Sequence, residues 1–219
     1  MENVTDRTSN PFGMRPPCDS PCSPGVKAVF GYGDANADFH VIGDQPGVHG
    51  GAETGVPFTG SRAGEAIQRA LFETGFSSER YDDQPALENC FLSYLHMCCP
   101  PGGDEPTSER YAEMERFFDA ELRAIAAHVL LPVGERAMGR VVENYTARKG
   151  RLDLDMAALH ASEIRGSGFL VVPIREPTEW EEGDGQRLID SLLAIRGSDY
   201  RRTADLSRFL GSDELYFVR

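Results

Sequence analysis

Five cysteines and one glycine-rich loop carry most of the chemistry this chain could perform. Cys18 and Cys22 fall in an N-terminal stretch, Cys98 and Cys99 are adjacent, and Cys90 stands apart. An odd number cannot all pair with one another, and in a reducing compartment clustered thiols are more often metal or cluster ligands than disulfides. The loop Gly43 to Ser61, GDQPGVHGGAETGVPFTGS, holds six glycines and two prolines. That density of breakers predicts neither helix nor strand, in a segment long enough to shape a pocket. Its turns can aim backbone N–H groups at a phosphate or a flat ligand, or simply cover surface. No GxxxxGK[ST] and no helix-opening GxGxxG is present, which disfavours nucleotide hydrolysis and NAD chemistry.

The elements that must hold this loop alternate. Short apolar runs predict buried strands at Phe39 to Ile42, Phe91 to Leu95, Val129 to Val133 and Gly168 to Ile174. Between them, apolar residues at helical spacing predict helices from Arg62 to the Gly75 stop and from a Thr107 or Ser108 cap to Ala127. In the second, Met114, Phe117, Phe118, Leu122 and Ile125 share one face. Further helices are expected from Glu135 to Tyr145 and from Gly185 to Ile195. The alternation predicts a three-layer α/β/α domain on a central, mostly parallel four-stranded sheet. Its crevice should lie beyond the carboxyl ends of the strands, where the loop from Gly43, the cysteine loop, Gly134 and the segment Arg175 to Trp180 emerge. The organisation read from the chain is an irregular lead-in over residues 1–25, one domain over 26–197, and an acidic C-terminal extension over 198–219.

Composition limits the partners. Thirty-five acidic against 22 basic side chains give a formal charge of −13, and Lys27 and Lys149 are the only lysines. Such an acidic, arginine-biased chain suggests a halophile's cytoplasm. In molar salt the Debye length falls to ~3 Å, so a local arginine patch can still meet a phosphate backbone despite the net charge. No apolar run approaches a membrane span and the N-terminus lacks the plan of a signal peptide, so a cytoplasmic, membrane-free and monomeric protein is expected.

Several ordered blocks resemble one family. GDQPGVHGGAETGVPFTGSRAG is similar to the first motif of the uracil-DNA glycosylase superfamily, especially its iron-sulfur families from thermophiles and archaea. MCCPPGGDEPTSERYAEMERFFDAEL resembles their Cys-x-Pro-Pro, Pro-Thr and acidic-helix block, and VLLPVGERA their apolar strand ending in Gly-x-x-Ala. The resemblance runs from about Cys18 to Ile195. It implies an enzyme of base excision repair that flips a damaged base, uracil or a deaminated purine, from single-stranded or mismatched DNA and hydrolyses its N-glycosidic bond.

The resemblance also implies roles. Phe58 becomes the aromatic floor beneath the flipped base, with Gly43, Gln45, Pro46 and Gly47 shaping the surrounding turn. Asp44 orients the attacking water or stabilises the sugar cation, and His49 donates to the base or a phosphate. Tyr94 stands where one iron-sulfur family reads the base with an asparagine. Glu176-Pro177-Thr178 stands where the superfamily has a His-Pro-Ser type turn, so a histidine donor is replaced by a carboxylate, with Arg175 as a substitute donor. Cys18, Cys22 and Cys98 fall at three ligand positions of a [4Fe-4S] cluster. The fourth, sixteen residues beyond Cys98, is Met114, whose thioether is a poor iron ligand. Cys99 is the replacement next to hand, while Cys90 reads as a small buried hydrophobe. These joint departures leave a second reading, a non-catalytic member that binds a nucleobase or nucleic acid.

Overall fold

The computed structural model describes residues 13–100, 102, 104–146, 150 and 152–206. Its strands are β1 (Tyr32–Gly33), β2 (Phe39–Gly43), β3 (Cys90–Tyr94), β4 (Val129–Pro132), β5 (Ile164–Arg165) and β6 (Leu170–Val171). The helices are α1 (Pro46–His49), α2 (Arg62–Glu73), α3 (Ser108–Ile125), α4 (Gly134–Tyr145), α5 (Met156–Leu159), α6 (Asp184–Arg196) and α7 (Tyr200–Leu206).

Every residue of β2, β3 and β4 is buried, as expected for strands covered on both faces. The sheet has six strands in the order β1-β3-β2-β4-β6-β5. The expected parallel four are present as β3, β2, β4 and β6, and each edge carries an added antiparallel strand of two residues. The sheet is therefore mixed rather than four-stranded. Two-residue strands are too short to produce an alternating pattern, which is why the sequence does not announce them. The last expected strand is curtailed for a similar local reason, since Pro173 has no N–H for a ladder. The Val172 and Ile174 amides still donate to Leu130 and Pro132.

Alternate side chains of the strands feed two cores. Phe39, Val41, Leu92 and Leu131 pack against Ile67 and Leu71 of α2 and Leu188, Leu192 and Ile195 of α6. Ile42, Phe91, Leu130 and Val171 meet Phe118 and Leu122 of α3 and Val141 of α4 on the opposite face. The caps follow sequence chemistry. The Ser61 hydroxyl accepts from the Gly64 amide and the Thr107 hydroxyl from the Arg110 amide, each satisfying one orphan N–H of a first turn. One expectation fails inside the glycine-rich loop, because Pro46–His49 forms a helical turn. Proline suits a first helical position, where its missing N–H costs nothing, and Gly50 at φ +92° ends the turn at once.

After β3 the chain crosses β2 to reach β4, so α2 and α3 lie on opposite faces and the crevice opens outside the carboxyl ends of β2 and β4. The lead-in is tied down: Cys18 pairs with Cys98 and Cys22 with Cys99, while Met14 packs with Met97 and Met114. At the opposite pole the Tyr200 hydroxyl of α7 donates to Asp38 at 2.7 Å, its ring 5.0 Å from Phe39. The rest of the expected lead-in and C-terminal extension, residues 1–12 and 207–219, lies outside the described residues; over 198–219 four carboxylates are matched by four arginines, so the extension is not acidic. No helix among the described residues is long and apolar enough to cross a membrane.

Candidate active site

Gly43, the last residue of β2, sits where three rings converge. A Cβ there would lie 2.7 Å from the Phe58 ring, 2.7 Å from the Tyr94 ring and 2.8 Å from His49 Nδ1, so only glycine lets the rings close over the strand end. Phe58 is fully buried with φ +60°, a left-handed conformation that is costly for a bulky side chain. Three contacts hold it there. Its amide donates to the Tyr94 hydroxyl at 2.7 Å, and its carbonyl accepts from Gln68 Nε2 at 2.9 Å. Gly64 of α2 lets that same carbonyl approach so closely that a Cβ would meet it at 2.4 Å.

His49 is fully buried, its ring stacked on Phe58 at 5.3 Å between centroids and 27° between planes. The Asp44 amide donates to His49 Nδ1 at 3.0 Å, which fixes the lone pair on that nitrogen and the proton on Nε2. Nε2 then donates to Glu176 Oε2 at 3.0 Å. Glu176 is partly exposed and follows β6, leaning over Gly134 at the end of β4. Thr178, exposed on the following 3-10 turn, donates a long 3.5 Å bond to Glu176 Oε1.

Asp44 is engaged on both oxygens. The Tyr111 hydroxyl donates to Oδ1 at 2.5 Å and Arg136 Nε lies 3.3 Å from Oδ2. The Arg136 guanidinium also covers the Tyr111 ring at 4.5 Å and pairs with Glu105. Burial and the Asp44 carboxylate both push the Tyr111 hydroxyl pKa up, so Tyr111 stays a donor. Gln45 caps α1 with its side chain buried, and its Oε1 has no partner among the described residues. Such an atom is an acceptor open to a water or ligand donor. Pro46 is buried below the rim, whereas Gly47 and Val48 are exposed on it.

The fold thus gathers Gly43, Asp44, Gln45, Pro46, His49, Phe58, Tyr94 and Glu176 from the ends of β2 and β3, the loop after β2 and the segment after β6. Tyr94 is fully buried, and its hydroxyl is used twice, accepting from Phe58 and donating to the Gly50 carbonyl at 3.0 Å. It clamps the Phe58 backbone to the loop. Arg175 is directed elsewhere, its guanidinium 3.2 Å from Glu181 and 3.3 Å from Asp184. Sequence reasoning missed Tyr111, Arg136 and Gln68. The two helix-start residues had a readable signal, since each lies in the first turn of a helix at the crevice end of the sheet.

The four cysteines expected around a cluster do converge, but as two disulfides, Cys18–Cys98 and Cys22–Cys99. Met114 is buried in an apolar nest with Met14, Met97 and Cys98. Among the described residues, no group of three or more His, Cys, Asp or Glu is arranged to hold a metal ion. This arrangement offers no set of four thiolates for a [4Fe-4S] cluster. Cys90 is buried and free, and burial raises its pKa far above the usual thiol range.

The switch point of the sheet thus carries a left-handed aromatic ringed by a histidine and two carboxylates. Residues 30–183 match the uracil DNA glycosylase superfamily, and the chain belongs to that superfamily. Among its relatives, the type-5 uracil-DNA glycosylase of Pyrobaculum aerophilum is 26% identical over 168 residues, covering 75% of this chain and 71% of that protein. The type-5 uracil-DNA glycosylase of Thermus thermophilus is 31% identical over 128 residues, 57% of this chain and 58% of its own length. That of Mycobacterium tuberculosis is 28% identical over 106 residues, 47% of this chain and 40% of the relative.

Proposed function

We propose that this chain is a DNA-repair glycosylase that accepts a flipped uracil or deaminated purine and hydrolyses its N-glycosidic bond. The observation that carries the reading is Phe58. A left-handed phenylalanine costs on the order of 1–3 kcal/mol and persists only where its surroundings over-determine it. Tyr94, Gln68 and Gly64 do so here, and the fixed ring is a platform suited to stacking a base, worth about 1–3 kcal/mol per stacked base.

Around it the roles divide. Bond cleavage leaves a cationic sugar and an anionic base, so the site needs negative charge near the sugar and a donor near the base. Asp44 and the open Gln45 Oε1 are the acceptors for an attacking water. His49, held in one tautomer by the Asp44 amide, carries one Nε2–H, which Glu176 accepts until an incoming base displaces the imidazole and takes it. Glu176 aligns that donor and adds negative charge that favours the sugar cation. A negative Glu176 also opposes a leaving uracil anion unless the His49 proton stands between them. The substrate is single-stranded or mismatched DNA met in high salt, where screening suppresses repulsion from the acidic surface.

The second reading, a non-catalytic member that binds a nucleobase or nucleic acid, is favoured by one feature. His49 stacks on Phe58 and both are fully buried, so an incoming base must displace the imidazole. One assay separates the two: release of free base from uracil, hypoxanthine and xanthine DNA, single-stranded and mismatched, at molar salt. Release by the native chain and none by Phe58→Ala is the expected result. Tight binding with no release of any base would sink the glycosylase reading and favour the second.

A further inference from the structure

The geometry points to Tyr111 and Arg136 as positioning residues that set the orientation of Asp44, an inference that rests on the glycosylase reading. Three separate elements meet at this carboxylate. Asp44 follows β2, Tyr111 comes from the first turn of α3, and Arg136 comes from the first turn of α4. Tyr111 occupies Oδ1 at 2.5 Å and Arg136 Nε approaches Oδ2 at 3.3 Å. A carboxylate has about four lone-pair sites, so one hydrogen bond on Oδ1 and one ion-pair partner beside Oδ2 leave others for a water.

The two donors also brace each other. The guanidinium lies 4.5 Å over the Tyr111 ring and its far end pairs with Glu105. The Tyr111 ring is 5.4 Å from His96, whose amide donates to the Asp44 carbonyl at 2.9 Å. Backbone and side chain of Asp44 are therefore held from the same side. Arg136 is half-exposed, and an ion pair of that exposure adds little to stability. Its contribution is to direction. A bound water must sit close to the attack geometry, and a displacement of about 1 Å can cost 10²-fold in rate.

The experiment is single-turnover base release from uracil-containing single-stranded DNA by Asp44→Asn, Tyr111→Phe, Arg136→Met, Arg136→Lys and the Tyr111→Phe/Arg136→Met double variant. Tyr111→Phe and Arg136→Met should each slow the step roughly 10- to 100-fold, leave DNA affinity unchanged and combine less than additively. Arg136→Lys should recover only part of the loss, because an ammonium lacks the planar fork that spans a ring and a carboxylate. Native rates in Tyr111→Phe and Arg136→Met, with Asp44→Asn impaired, would overturn the inference and leave the glycosylase reading standing. A native rate in Asp44→Asn would remove the role assigned to Asp44 itself, and the inference with it. If the chain releases no base, the 13C resonance of the Tyr111 ring carbon bearing the hydroxyl decides the contact. It should move in Asp44→Asn, and an unchanged resonance overturns the inference.

Discussion

Glu121 is a carboxylic acid buried on the apolar face of α3, and replacing it with glutamine should change how stability depends on pH. Its Oε1 accepts from the Gly31 amide at 2.7 Å, while its Oε2 is buried without a partner among the described residues. Burial pushes its pKa from the usual 4.5 up to about 8, against the smaller opposing pull of the Gly31 bond. Because the folded chain holds this proton more tightly than the unfolded chain, its stabilisation is complete below pH 4.5 and is lost as pH rises to about 8. At about 1.4 kcal/mol per tenfold change in proton affinity, the ceiling on that loss is ~5 kcal/mol.

His40 works in the opposite sense. Burial lowers it from 6.5 to about 3, so its contribution is present above pH 6.5 and lost as pH falls toward 3. The two slopes oppose each other between pH 4.5 and 6.5, and above 6.5 only Glu121 acts. Urea midpoints measured from pH 5 to 9 in molar salt should therefore stay near level up to pH 6.5 and fall from there to pH 8 for the native chain, whereas those of Glu121→Gln should rise to pH 6.5 and then stay level. The variant should be ahead by roughly 2–4 kcal/mol at the upper end, part of the linkage ceiling. A native-to-variant difference that is the same at pH 5 and pH 8.5 would refute the assignment.

Tyr94→Phe should lower stability by about 1–3 kcal/mol, because it orphans the buried Phe58 amide, and base release should fall with it. An unchanged urea midpoint would show that the clamp does not hold Phe58. For the cysteines, thiol labelling under denaturing conditions should modify one side chain before reduction and all five after, with no iron in the purified protein. Stoichiometric iron together with five reactive thiols would overturn the paired arrangement.

Much of this architecture is written in periodicity. Phe39 to Ile42, Val129 to Val133 and the helices around them announce themselves because each must bury an apolar face, and strand-helix alternation then places the crevice. The loop from Gly43 to Ser61 was legible as a site for the same kind of reason, since Gly43, Gly50 and Gly51 are needed where backbone and rings approach too closely for a Cβ. What the sequence could not convey is partnership across the fold. Glu121 occupies the core-facing spacing of α3, seven residues beyond Met114, but its charge hides it among surface residues until Gly31 is seen against it. Tyr94 stood at a base-reading position by order along the chain, and only tertiary packing turned its hydroxyl onto Phe58 and Gly50. The same holds for Asp44, Tyr111 and Arg136. Local pattern determines which elements form and which faces they bury, whereas a hydrogen bond between residues 67 positions apart, or an ion pair between residues 92 apart, is decided only when the sheet brings its strand ends together.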